Sequence, residues 1–189
     1  VLFEGVNIVK KLPIGISNFK KIIQDNYYYV DKSLFIEDII DTGAETILIP
    51  RPRRFGKTLN LSMLKYFFEN KKEDESSLFD NLKIWKAGEK YRKMQGQFPV
   101  IYLTFKDVKC NNWELCYDHL QRVIGKEYKR HDYLMSTDIL DELQKKIYHE
   151  IMAFEAKRAD YENSIKNLTE YLQDYYNSKV FILIDEYDT

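Results

Sequence analysis

Residues 46–59 read T-I-L-I-P-R-P-R-R-F-G-K-T-L. The first four are a continuous apolar run without alternation, the pattern of a strand buried on both faces, and they form the candidate central strand. Pro50 and Pro52 stop it, because proline gives no N–H to a strand ladder. Over about 58–69, Leu61, Leu64 and Phe68 recur on one helical face. Between strand and helix lies a basic loop ending in Gly56-Lys57-Thr58. A phosphate-binding loop needs a tight strand-to-helix turn with N–H groups of a helix N-terminus facing the anion. It also needs a lysine for the β- and γ-phosphates and a hydroxyl for magnesium. Gly56, Lys57 and Thr58 stand in the right order for this, although Arg51 occupies the place of the first glycine in G-x-x-x-x-G-K-[ST]. The tripeptide alone recurs in unrelated chains. The strand before it and the amphipathic helix after it favour phosphate binding over an ordinary loop with a helix N-cap at Thr58.

Working outward, residues 181–186 read F-I-L-I-D-E, an apolar run ending in two carboxylates. A carboxylate at the C-terminal end of a central strand, beside a phosphate loop, holds the Mg2+ that bridges the phosphates, and the next carboxylate can orient an attacking water. By itself such a run is an ordinary solvated strand end. Downstream of the loop it makes Asp185 the metal-side group and Glu186 the candidate general base. Residues 99–105, P-V-I-Y-L-T-F, are a further strand with proline at its first position. Three helical stripes follow: Trp113, Cys116, Leu120, Val123 and Ile124; then Leu140, Leu143, Ile147, Ile151 and Phe154; then Ile165, Leu168, Leu172 and Tyr176. Before the loop, 16–23 reads as a short helix, 27–30 as an aromatic β-prone run, and 34–40 as a helix capped by Asp31 or Ser33 and ended by Gly43. Residues 69–75, charged on all sides, read as a solvated, mobile helix end. The order strand, helix, strand, helices, strand predicts an α/β fold: a parallel sheet with helices on both faces.

The chain has 189 residues, 44% hydrophobic and 31% charged, which suits one globular domain and excludes a disulfide mini-protein or a disordered chain. Its net charge of −1 provides no global field toward nucleic acid or anionic membrane. Any basic site is therefore local. Arg51, Arg53, Arg54, Lys57 and Lys65 fall within 46–68, a stretch with no acidic residue. They surround phosphates, touch a nucleic-acid backbone, or pair with acids such as Asp31. Tyr27, Tyr28 and Tyr29 either stack a base or pack as an edge strand. His119, His131 and His149 have no metal or triad spacing and read as surface residues or as contacts to a partner helix. Cys110 and Cys116 lack zinc spacing and read as free thiols of a reducing compartment. With no long apolar run and no leader pattern at 1–11, a soluble cytoplasmic protein without a membrane partner is expected.

The strings L-P-I-G at 12–15, Y-V-D-K-S at 29–33, R-P-R-R-F-G-K-T-L at 51–59 and L-I-D-E-Y-D-T at 183–189 resemble the AAA-ATPase-like domain family of prokaryotic P-loop proteins. In that family the missing first glycine is usual and the arginine-rich loop is the signature. The resemblance implies a P-loop NTPase-type sheet, with ATP and Mg2+ as cofactors. It gives Gly56, Lys57 and Thr58 the Walker A roles and Asp185 and Glu186 the Walker B roles. Arg53, Arg54, Phe55 and Leu59 would join Gly56, Lys57 and Thr58 in holding the nucleotide. Thr58 and Asp185 would hold the metal, and Lys57 and Glu186 would be catalytic. The implied activity is Mg-dependent ATP hydrolysis. The alternatives are a nucleotide-gated binding module with negligible turnover, or the ATPase part of a nuclease-linked DNA-processing protein. Relatives often continue into a PD-(D/E)XK nuclease-like region, which would bring a nucleic-acid partner, and arginine fingers supplied by a neighbouring subunit make an oligomer possible. On this reading 1–45 is a lead-in and 46–189 is the N-terminal part of a core truncated after the Walker B strand. The strands at 46–49 and 180–184 would then flank a vacant place in the sheet.

Overall fold

The computed structural model describes residues 10–50, 52, 55–71, 73–106, 108 and 110–187. The chain divides into two compact units, one within Val1–Phe67 and Lys72–Gly96, the other within Phe68–Lys71 and Gln97–Thr189.

In the first unit α1 (Phe19–Gln24) begins where the Asn18 side chain accepts from the Lys21 N–H. Helix α2 (Phe35–Thr42) ends at Gly43 in the left-handed conformation, in keeping with the sequence. Helix α3 (Lys57–Phe68) follows the basic loop, and two short helices, α4 (Lys83–Ala87) and α5 (Glu89–Arg92), complete the unit. Its core gathers Phe19, Ile22, Ile36, Met63, Leu64, Phe67, Phe79 and Ile84. Phe79 stacks on Phe19 at 5.1 Å and meets Phe67 edge-on at 5.2 Å. Helix α3 is buried almost all round, from Asn60 to Leu64, which is why its polar residues have structural work: Ser62 Oγ accepts from the Phe19 N–H at the start of α1 (3.0 Å).

The Y-V-D-K-S string also has a structural role. Asp31 accepts from the N–H groups of Ser33 (2.9 Å) and Lys83 (2.8 Å), and buried Ser33 accepts from Ile84 (3.0 Å), so the two residues cap α4 from a distant loop. Burial alone would raise the Asp31 carboxyl, but the hydrogen bonds from Ser33 and Lys83 hold it below the usual range.

Two expected strands of this unit do not form. Residues 46–49 are irregular, with Ile47 and Leu48 39% and 65% exposed. An apolar run becomes a strand only where a neighbour takes its N–H and C=O groups, and none pairs with it among the described residues. Residues 27–30 are likewise irregular. Tyr29 turns inward, edge-on to Phe19 at 5.6 Å with its hydroxyl on Met63 Sδ, and burial pushes that phenol up to about 12. Tyr28 stays exposed.

The second unit holds β1 (Val100–Thr104), α6 (Trp113–Arg130), α7 (Glu142–Ala153), α8 (Arg158–Tyr176) and β2 (Phe181–Asp185). The strands pair in parallel, Val100 opposite Phe181 and Thr104 opposite Asp185. Among the described residues the sheet has these two strands. The three helices close a core of Tyr128, Leu134, Tyr148, Ile151, Leu168 and Leu172 over Ile101 and Leu103. Helix α7 opens with a capping box between Asp141 and Gln144. At Gly125 an added Cβ would lie 2.7 Å from the Ile151 carbonyl oxygen, so α6 and α7 approach closely there. Phe68 lies flat on Phe181 at 4.0 Å, and both meet Phe98 edge-on.

Strand β2 is not covered on both faces. Leu183 and Asp185 are buried, but Ile182 and Ile184 are 42% and 41% exposed, so the strand alternates as a half-buried one does. Within their helical stripes Trp113 and Leu143 also face solvent. The charged stretch 69–75 is not uniformly solvated. Glu69 is buried against Arg130 and pairs with Lys71 at 3.0 Å, and Glu75 is buried on Lys20 at 2.9 Å. Carboxylates go inside when a cation comes with them. His131 is buried rather than on the surface, with Nδ1 3.0 Å from the Tyr133 hydroxyl and Nε2 3.5 Å from Glu127.

Candidate functional site

Gly56 carries φ 79°, a left-handed value open to glycine, and α3 starts at the next residue. The first bond of the helix runs from the Asn60 N–H to the Gly56 carbonyl (2.9 Å), so Lys57, Thr58 and Leu59 make up its first turn, each half-buried. That end of a helix carries outward-facing N–H donors and the positive end of the dipole, the setting an anion needs. Phe55, ahead of the glycine, is exposed, and its N–H donates to the Pro52 carbonyl at 3.4 Å. Arg51, Arg53 and Arg54 lie outside the described residues.

Asp185 is the last residue of β2 and is 2% exposed; its carbonyl accepts from the Phe105 N–H at 3.0 Å. Glu186 follows at φ 55°, so the chain leaves the strand through a left-handed residue that is not glycine. Such a conformation costs about 1 kcal/mol for an L residue, and strained positions of this kind concentrate at functional sites.

The structure thus gathers Gly56, Lys57, Thr58 and Leu59 on one helix turn in the first unit, and Asp185 and Glu186 at one strand end in the second. Each group is described in its own unit. The donors suit their expected ligands. A lysine and a helix N-terminus match phosphate oxygens, and a hydroxyl and a carboxylate are the hard oxygen donors Mg2+ takes, one or two per site beside phosphates. Directly after this turn stands Asn60. It is buried, and among the described residues its Nδ2 has no hydrogen-bond partner. The signal for it is a polar residue between Leu59 and Leu61, in the buried stretch of the helix.

A family model described as "Predicted AAA-ATPase" matches residues 13–189, spanning both the Gly-Lys-Thr turn and the Asp-Glu strand end. The chain belongs to the AAA-ATPase-like family. A relative within reach of an AAA-ATPase-like chain of this kind is the "Uncharacterized protein in vnfD 5'region" of Azotobacter chroococcum mcd 1, 40% identical over 97 residues. That alignment takes in 51% of this chain and 17% of the relative. No solved structure matches the AAA-ATPase-like chain. Among the described residues no helix is long and apolar enough to cross a membrane.

Proposed function

We propose that this AAA-ATPase-like chain binds Mg-ATP at the N-terminus of α3 and hydrolyses it with the help of the carboxylates that end β2. The observation that carries the reading is the turn itself: a left-handed Gly56, then a helix whose first turn holds Lys57 and Thr58. Lys57 neutralises the β- and γ-phosphate oxygens, and the first-turn N–H groups receive the phosphate chain. Thr58 and Asp185 are the metal's protein ligands. Mg2+ supplies the charge that offsets what builds up on the phosphate oxygens. Glu186 orients water and accepts its proton as the γ-phosphoryl group leaves. Arg53, Arg54, Phe55 and Leu59 complete the nucleotide-holding set.

Titration of the protein with ATP and Mg2+ tests this. Lys57→Ala loses a charge-assisted contact with phosphate and weakens binding by at least about tenfold. Glu186→Gln keeps wild-type affinity and loses single-turnover hydrolysis. Equal ATP affinity in the wild type and the Lys57 variant overturns the proposal. Wild-type turnover no faster than that of Glu186→Gln, with binding intact, turns it into the nucleotide-gated module.

A further inference from the structure

We propose that Cys110 and Cys116, with His119 as proton acceptor, form a redox site that closes to a reversible intramolecular disulfide on meeting a small disulfide oxidant such as glutathione disulfide. This is independent of the nucleotide reading.

The two thiols are the chain's only cysteines, and both are free and half-buried. The turn at Asn112, whose side chain accepts from the Glu114 N–H (2.7 Å) to start α6, folds the preceding loop back along the helix. Cys116 Sγ in consequence lies 3.8 Å from the Cys110 carbonyl oxygen. Cys110 Sγ also stands 3.8 Å from His119 Nδ1, one helical turn beyond Cys116. A nucleophilic sulfur, a resolving sulfur and a base are thus held together by a loop and the start of a helix. The sulfurs are also accessible. They line an open cleft of about 490 Å3 with Phe105, Trp113, Leu120 and Tyr187. Phe105 follows β1, and Tyr187 follows the Asp185-Glu186 pair, so the cleft opens at the carboxyl ends of both parallel strands.

The chemistry balances as two exchanges. Cys110 passes its proton to His119 Nδ1 as its sulfur attacks one sulfur of glutathione disulfide. That S–S bond breaks, and one glutathione leaves with the electron pair and takes up a proton. Cys116 then attacks the Cys110 sulfur, its proton passing to the second glutathione, which leaves with the electron pair of the broken mixed-disulfide bond. Two protein S–H groups are oxidised to one S–S bond, and one glutathione disulfide is reduced to two glutathiones. Burial and the Cys116 thiol push the Cys110 thiol up, so the site rests as thiols, and the base at Nδ1 assists the first step.

The test is intact-mass analysis and thiol titration of the reduced, folded protein after exposure to glutathione disulfide. The expected product is a monomer lighter than the reduced chain by two hydrogens, with both thiols unreactive and both restored by dithiothreitol. Cys116→Ser has no resolving sulfur and stops at one glutathione bound to Cys110. His119→Gln slows the first exchange by about tenfold or more, in proportion to the loss of a general base. Wild-type protein that keeps both thiols, carries two glutathiones, or forms disulfide-linked dimers overturns the proposal. So does a Cys116→Ser variant that takes up no glutathione.

Discussion

Gly56 and Gly125 show that a glycine can be required for two unrelated reasons. At Gly56 an added Cβ meets nothing within 4 Å among the described residues, but the backbone sits at φ 79°. The cost of Gly56→Ala is therefore conformational, about 1 kcal/mol, or else the turn relaxes and swings the first N–H groups of α3 out of place. Denaturant unfolding of Gly56→Ala should show a loss of that size, and nucleotide affinity should fall by more than the stability does, because the turn aims the donors. At Gly125 the conformation is helical and space is the constraint: the new methyl group meets the Ile151 carbonyl at 2.7 Å and the Phe154 ring. Gly125→Ala should cost about 1–3 kcal/mol by overpacking the α6–α7 contact, and should leave nucleotide affinity unchanged. An alanine tolerated at 125 without loss of stability would mean that the two helices are free to separate.

Among the elements, α3 carries a polar residue with a structural task. Ser62 supplies the acceptor for the Phe19 N–H, so Ser62→Ala leaves a buried donor orphaned at the start of α1 and should lower stability by about 1–2 kcal/mol. Ser62→Thr, which keeps a hydroxyl, should recover part of that loss, as urea midpoints of the two variants would reveal. What sequence reading resolves at this scale follows from locality. Helices α6, α7 and α8 and strands β1 and β2 stand where periodicity puts them, because each pattern is decided within its own segment. The Gly-Lys-Thr turn was legible for the same reason, and so was the Asp-Glu strand end. At 46–49 the expected strand does not form, because apolar composition does not supply the ladder a strand requires, and in this structure Leu48 faces solvent. Asp31 and Ser33 were legible as helix-capping types but not as caps of α4, whose first N–H groups lie fifty residues further along the chain.

At the scale of the whole molecule, a buried ionic cluster among the described residues joins positions far apart in sequence, where no local pattern could have indicated it. Arg130 pairs with Glu69 and with Glu127 and donates to the Val100 carbonyl, while Glu127 accepts from the Tyr102 N–H at 2.8 Å. One guanidinium thereby ties the residue after α3 and the last turns of α6 to β1. Burial by itself would raise the Glu127 carboxyl, but hydrogen bonds from His131 and Arg130, the Arg130 charge and the Tyr102 N–H hold it down at about 2. The sign for stability follows. A carboxyl depressed on folding contributes in full above its unfolded value of about 4.3, and that contribution is lost as pH falls toward about 2. At neutral pH the linkage amounts to about 3 kcal/mol. Unfolding free energies of wild type and Glu127→Gln, measured from neutral pH downward, should differ by that order above about pH 5 and converge as pH approaches about 2. A gap that stays constant across the acid range would show that Glu127 holds the fold by shape and hydrogen bonding alone, with its ionisation contributing nothing.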